Sequence, residues 1–191
     1  MKKRIALVAA LLGLVVLAFA GVATAAQVTG STTCTDNSLA GTTVKTNVTV
    51  PAGARCDLSW ADVQGNVSVN GTLVTYGITH FAKNVGVNPG GSFAAANWGV
   101  TIDGNLSITD PAANSGNGFW GDYSPNLVKG NLNYTITPTA AAAYPEYQWP
   151  YLYFGGPTTV KGSVNYSVGS LLSVRPFSQG SATIMGGTSV S

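Results

Sequence analysis

The sequence predicts an all-β chain, a single-stranded β-solenoid of about six rungs, parallel β-helix-like, and three observations carry that reading. The first is a pattern met six times: apolar, any, small or Lys, Asn (once Ser), apolar, any, apolar or Tyr. Its copies begin at Val44, Val63, Phe81, Ile102, Val128 and Val160. The second is composition: Val, Thr and Tyr favour strands, while 24 glycines and the frequent Asn supply turns. The third is that no segment beyond the first two dozen residues spaces its apolar side chains at a helical period. Short strands recurring at near-fixed intervals belong to a stacked repeat, in which no unit buries its apolar face alone.

The chain opens Met1-Lys2-Lys3-Arg4, runs apolar from Ile5 to Val22 and reaches Ala23-Thr24-Ala25. A basic start, an apolar core and a small-x-small site read as a signal peptide over residues 1–25, cut before Ala26. The rival is an uncleaved anchor, the only membrane contact the sequence suggests. Loss of Lys2, Lys3 and Arg4 takes the basic residues from nine to six against seven acidic ones, a formal charge of −1. The pI near 8.6 belongs to the uncut chain. No basic patch survives to neutralise phosphates, which argues against nucleic acid as a partner.

Residues 26–43 read as an N-terminal cap. Cys34 and Cys56 are the only cysteines, and an even count in an exported chain favours a disulfide between them. The solenoid then occupies 44–185. The motif intervals of 19, 18 and 21 residues suit one turn each. Val48/Val50, Val67/Val69 and Leu106/Ile108 would point inward, with Thr49, Ser68, Gly86 and Ser107 outward between them. Turn signals at Pro51-Ala52-Gly53, Asn70-Gly71 and Asn88-Pro89-Gly90-Gly91 precede further apolar residues, which fits a second wall in every rung. The Gly-Asn step inside the motif reads as another corner, with Asn in the left-handed region. The rival architecture is an antiparallel sandwich with Asn-Gly hairpins.

Later intervals stretch to 26 and 32 residues. The surplus reads as two aromatic insertions, near 111–125 and 138–157, leaving the stack as loops. Residues 186–191 read as a flexible tail.

Through Gly65-Asn66-Val67-Ser68-Val69, Gly104-Asn105-Leu106-Ser107-Ile108 and Gly130-Asn131-Leu132, the stretch 44–169 resembles the uncharacterised exported Gly-Asn-Val-x-Val repeat proteins of Gram-positive, particularly actinobacterial, bacteria. More distantly it is similar to bactofilins, cytosolic polymer-forming solenoids. The leader, the cysteines and the aromatic insertions depart from that second family. Both resemblances imply the architecture and supply no catalytic residues.

Residue chemistry gives little for catalysis. The one histidine, His80, reads as structural at a rung corner. No Gly-x-Ser-x-Gly elbow occurs. The carboxylates are Asp36, Asp57, Asp62, Asp103, Asp110, Asp122 and Glu146, and a polysaccharide-cleaving solenoid would need several of them gathered on one wall. An Asp103–Lys129 pair between neighbouring rungs accounts better for the charges at the second motif position. No metal site and no cofactor are implied, since two isolated Cys and one distant His make a poor ligand set. Five Asn-x-Ser/Thr sequons, such as Asn66-Val67-Ser68, follow from the repeat itself. An outward row of Thr, Ser, Gly and Asn is too irregular for an ice-matching array.

Ten aromatic residues lie between Phe119 and Phe154. Trp120, Tyr123, Tyr147, Trp149 and Tyr151 are therefore the candidate ligand-binding residues, against the plainer reading that they cover the stack. The expectation is an exported, non-enzymatic structural or adhesive module of the cell envelope or extracellular space. Its partners would be a cell-wall glycan, an envelope protein or a second copy of itself through open strand edges. The second expectation is a carbohydrate-binding or polysaccharide-cleaving solenoid using the aromatic loops.

Overall fold

The computed structural model describes residues 27–28, 30–120, 124–144, 150–168, 177–178 and 182–191. Within these residues three parallel sheets wrap one apolar core. The first wall stacks β1 (Gln27–Val28), β3 (Thr43–Val44), β6 (Asp62–Val63), β9 (Thr79–Phe81), β12 (Val100–Ile102), β15 (Asn126–Val128), β18 (Thr158–Val160) and β21 (Ala182–Ile184). The second stacks β2 (Thr32–Thr33), β4 (Val48–Val50), β7 (Val67–Val69), β10 (Val85–Val87), β13 (Leu106–Thr109), β16 (Leu132–Ile136), β19 (Val164–Val168) and β22 (Thr188–Val190). The third holds β5 (Arg55–Asp57), β8 (Thr72–Thr75), β11 (Ser92–Ala95), β14 (Gly116–Phe119), β17 (Tyr151–Phe154) and β20 (Phe177–Ser178). Each turn of chain thus visits first, second and third wall before climbing one strand spacing, about 4.8 Å.

The repeat motif is the corner between the first two walls. In Val63-Gln64-Gly65-Asn66-Val67-Ser68-Val69, Val63 ends β6 and Val67 starts β7, both buried. Strand pairing runs in strict register: Val48 to Val67 to Val85 to Leu106 to Leu132 to Val164. Every inward residue therefore sits on its counterpart, and the apolar ladder forms as the alternation demands.

Several expectations are corrected. The sequence suggested two walls and a corner; there are three walls. Among the described residues the first two are eight strands deep, where about six rungs were expected. The added depth comes from the ends, where β1 and β2 carry both walls into the stretch read as a cap. The stretch read as a tail contributes β22, which pairs on β19 through backbone groups that need no particular side chain. Both insertions contain a third-wall strand, β14 and β17, because each rung must close its triangle. The second also contains a one-turn helix, α1 (Pro138–Ala143). Thr137 caps it, its hydroxyl accepting from the Ala140 N–H at 3.2 Å, and Pro138 opens it where no amide donor is needed. The Tyr144 hydroxyl donates to the Pro111 carbonyl at 2.7 Å and pins the two insertions together.

The motif asparagine is not left-handed. Its work is between rungs: Asn66 N–H donates to the Asn47 side-chain oxygen at 2.9 Å, Asn105 to that of Asn84 at 2.8 Å, and Asn131 to that of Asn105 at 2.8 Å. Ser163 takes the Asn place at the last copy and still donates to Asn131 at 2.9 Å. Corner amides, which have no ladder partner, are satisfied this way. The preceding Gly makes room, since a Cβ on Gly104 would lie 2.5 Å from the Asn84 Oδ1. The sequons at Asn47, Asn66 and Asn105 are by-products of this ladder.

Inside the second wall Tyr134 and Tyr166 stack with ring centroids 5.2 Å apart and planes at 5°. Both hydroxyls are buried without a hydrogen-bond partner among the described residues. Burial pushes the Tyr166 phenol up to about 12 and drives that of Tyr134 upward too, with Tyr166 and Tyr144 adding to the latter. An unpartnered buried hydroxyl destabilises, so Tyr134→Phe should raise stability by about 1 kcal/mol in urea denaturation. The folded state also holds this proton more tightly than the unfolded chain does. Stability is thus complete below the ordinary phenol value of 10.0 and is lost as pH climbs above it. The Phe variant should therefore unfold at higher pH than the parent; an unchanged alkaline midpoint together with lower stability would contradict this account.

Candidate binding surface

The outer faces of the three walls differ in chemistry. On the first wall, His80 lies mid-strand in β9 rather than at a corner, because Thr79–Phe81 pairs with β6 and β12 on either side. Its Nδ1 is 2.8 Å from Asp62 Oδ1 and its Nε2 3.3 Å from Asp103 Oδ2. Lys129 Nζ stands 2.7 Å from Asp103 Oδ1, the pair anticipated from the motif. Lys129 above all, and His80 after it, hold the Asp103 carboxyl below its usual range against the opposing effect of burial. The partly exposed Lys129–Asp103 pair contributes only about 0–1 kcal/mol. These groups clasp neighbouring rungs, and the imidazole is engaged at both nitrogens.

The second wall is neutral outside. Thr33, Thr49, Ser68, Gly86, Ser107, Asn133, Asn165 and Ser189 align in one column. Neighbours bond along it, as where Asn165 Nδ2 donates to Asn133 Oδ1 at 2.8 Å.

The corner from the third wall back to the first is aromatic. Trp60, then Tyr76 with Ile78, then Trp98 occupy three successive turns, 56%, 42%, 56% and 43% exposed. The local chain is braced to present them. Asp57 accepts the Ser59 N–H at 2.8 Å and also its hydroxyl, and the Ser59 oxygen accepts the Tyr76 N–H of the next turn at 2.7 Å. Buried Thr79 donates to the Leu58 carbonyl at 2.9 Å. Trp60 takes a left-handed φ of 63°, and Asn97, just before Trp98, one of 73°. The Trp60 indole lies across Gly77, where a Cβ would come 2.4 Å from the ring. Its centroid is 6.0 Å from that of Trp98, the planes at 45°. The Tyr76 hydroxyl accepts from Arg55 Nη2 at 2.6 Å.

Of the residues singled out from sequence, Trp120 and Tyr151 come together on the third wall, with Tyr153. Trp120 stacks on Tyr153 at 4.3 Å and meets Tyr151 edge-on at 5.7 Å. All three are half-buried against their own wall. Tyr123, Tyr147 and Trp149 lie outside the described residues, as do Asp122 and Glu146. Asp110 is occupied at the base of α1, accepting from the Thr137 N–H at 2.6 Å and from its hydroxyl at 3.0 Å. The corner ridge was missed from sequence. A signal existed: Trp60 and Ile78 stand three residues before their motif copies, and Trp98 four.

Cys34 and Cys56 are bonded, with Cα atoms 5.4 Å apart. Among the described residues no helix is long and apolar enough to cross a membrane, and no group of three or more His, Cys, Asp or Glu side chains is placed to hold a metal ion. Comparison of the chain with protein-family models, with curated proteins and with solved structures finds no match. The class rests on the coordinates alone: a three-walled parallel β-solenoid with a braced aromatic corner.

Proposed function

We propose that this chain is an exported, non-enzymatic β-solenoid that serves as an adhesive or structural module of the cell envelope or extracellular space. The observation that carries the reading is the exposed ridge of Trp60, Tyr76, Ile78 and Trp98, which gathers at one corner four of the six exposed large hydrophobic side chains among the described residues. Large apolar groups exposed in a row mark an interaction site more often than chance. The stack holds the ridge rigidly, since each turn is bonded to the next along three walls. The disulfide suits an oxidising compartment, and the leader supplies the route there.

The reading expects a mature N-terminus at Ala26, both thiols blocked, and sedimentation of the protein with the envelope fraction of its host. N-terminal sequencing, thiol titration and fractionation measure these. A cytoplasmic chain with its leader intact and two reactive thiols would end the proposal. The second reading, a carbohydrate-binding solenoid, is favoured by the chemistry of the same ridge.

A further inference from the structure

We infer that the ridge of Trp60, Tyr76, Ile78 and Trp98 is a binding site for a single extended chain of neutral hexopyranose units, an inference that rests on the adhesive reading and names its ligand class. Four features of the ridge point to it. The first is cost. A tryptophan at φ 63° with more than half its surface in water is unfavourable in backbone and in side chain, and Gly or Asn would sit there more comfortably. The fold nevertheless spends a brace of Asp57, Ser59 and Thr79 on holding this turn.

The second feature is geometry. The Trp60 indole rests one face on the Gly77 backbone, so its orientation is set before any ligand arrives. Tyr76 is likewise fixed through its hydroxyl by Arg55. The Trp60 and Trp98 indoles stand on corners two turns apart but lean together, centroids 6.0 Å apart with planes at 45°, and so offer two adjoining apolar faces inclined to one another. A pyranose with equatorial substituents presents a flat face of C–H groups, and successive sugars in an extended chain present one face after another.

The third is charge. Arg55, which donates to the Tyr76 hydroxyl, and Asp57, which accepts from Ser59, carry opposite charges two residues apart on β5, so together they bring the ridge no net charge. That favours a neutral chain over an anionic one. The fourth is shape. Three turns span about 10 Å of a convex corner. A stable protein partner needs roughly 800 Å² from each side, more than a four-residue ridge supplies. A single polymer strand needs far less.

The experiment titrates the disulfide-bonded mature chain with cellohexaose and with chitohexaose, following tryptophan fluorescence and calorimetric heat, with retention on cellulose, on chitin and on protein-stripped host cell walls alongside. Three variants accompany it. Trp60→Asn removes the indole and leaves a residue that accepts the left-handed backbone. Trp98→Ala removes the second indole. Gly77→Ala keeps every ring but drives the Trp60 indole off its seat.

At least one of the two oligosaccharides should bind, and each variant should weaken that binding about tenfold or more while melting within about 4 °C of the parent. Two results would overturn the inference. In one, neither oligosaccharide binds although the chain is retained by host envelopes, which leaves the adhesive reading standing with a protein or an anionic polymer as its partner. In the other, the oligosaccharide binds equally to parent and variants, which moves the site elsewhere. Loss of envelope retention in the parent itself would instead strike the adhesive reading.

Discussion

Leu106→Asp is expected to cost at least about 5 kcal/mol, as much as the whole stability of many domains, whereas Ser107→Asp next to it should cost under about 1 kcal/mol. Leu106 has no exposed surface and lies in the inward column between Val85 and Leu132. Truncating such a leucine alone removes about 2–5 kcal/mol, and a carboxylate adds the cost of an unpaired buried charge. Ser107 faces out between Gly86 and Asn133, and the Asn133 amide that now donates to its hydroxyl at 3.3 Å could donate to a carboxylate. Because each turn contacts only its neighbours, the damage should divide the stack into two separately melting halves. Urea denaturation followed by circular dichroism measures both variants. Equal tolerance at the two positions would mean that the register is shifted by one residue, which turns every side chain to the opposite face.

How much of this was legible depended on which wall is considered. The second wall was readable because its strands repeat the same three-residue alternation at each copy, and small outward residues never blur it. The third wall was not. Its inward column runs Cys56, Leu73, Phe93, Asn117 and Leu152, and no single residue class describes it. Asn117 is the extreme case, since Gly116-Asn117-Gly118 reads as a turn. Yet the side chain is wholly buried, accepting from the Phe93 N–H at 2.9 Å and donating to the Ser115 hydroxyl at 2.9 Å. A buried amide with its bonds made is as good a rung filler as a leucine, but only the folded neighbours reveal that.

The aromatic surface was half legible for a related reason. Aromatic density between Phe119 and Phe154 drew the reading toward the insertions. Phe119 and Phe154 proved to be core, stacked 6.1 Å apart, and Trp120 folds back on Tyr153. The exposed ridge is built instead from four large residues on three short turns, scattered over 39 residues of sequence from Trp60 to Trp98. Stacking makes them neighbours. Composition cannot show that, whereas phase relative to the motif could have.

Reducing the Cys34–Cys56 bond, or replacing both residues by Ala, should lower stability by about 3 kcal/mol, as expected for a loop closed over a sequence separation of 22. The position of the bond says where the loss will appear. Cys56 sits in β5, the end strand of the third wall, with no strand beneath it among the described residues. Residues 34–39 pass under β5 instead, held there by the disulfide, by Asp57 N–H donating to the Asp36 carbonyl at 2.9 Å, and by buried Leu39. On the first two walls β1 and β2 cover the same turn through paired backbone, so only the third depends on the covalent link. Hydrogen exchange of the reduced chain should therefore show residues 34–41 losing protection first, with β5 following and β13 unaffected. Since Asp57 and Ser59 brace Trp60, fraying there should also loosen the ridge, and any ligand it holds should bind more weakly after reduction. A reduced chain that keeps both its urea midpoint and its amide protection at 34–41 would show that the backbone and Leu39 close this end without the bond.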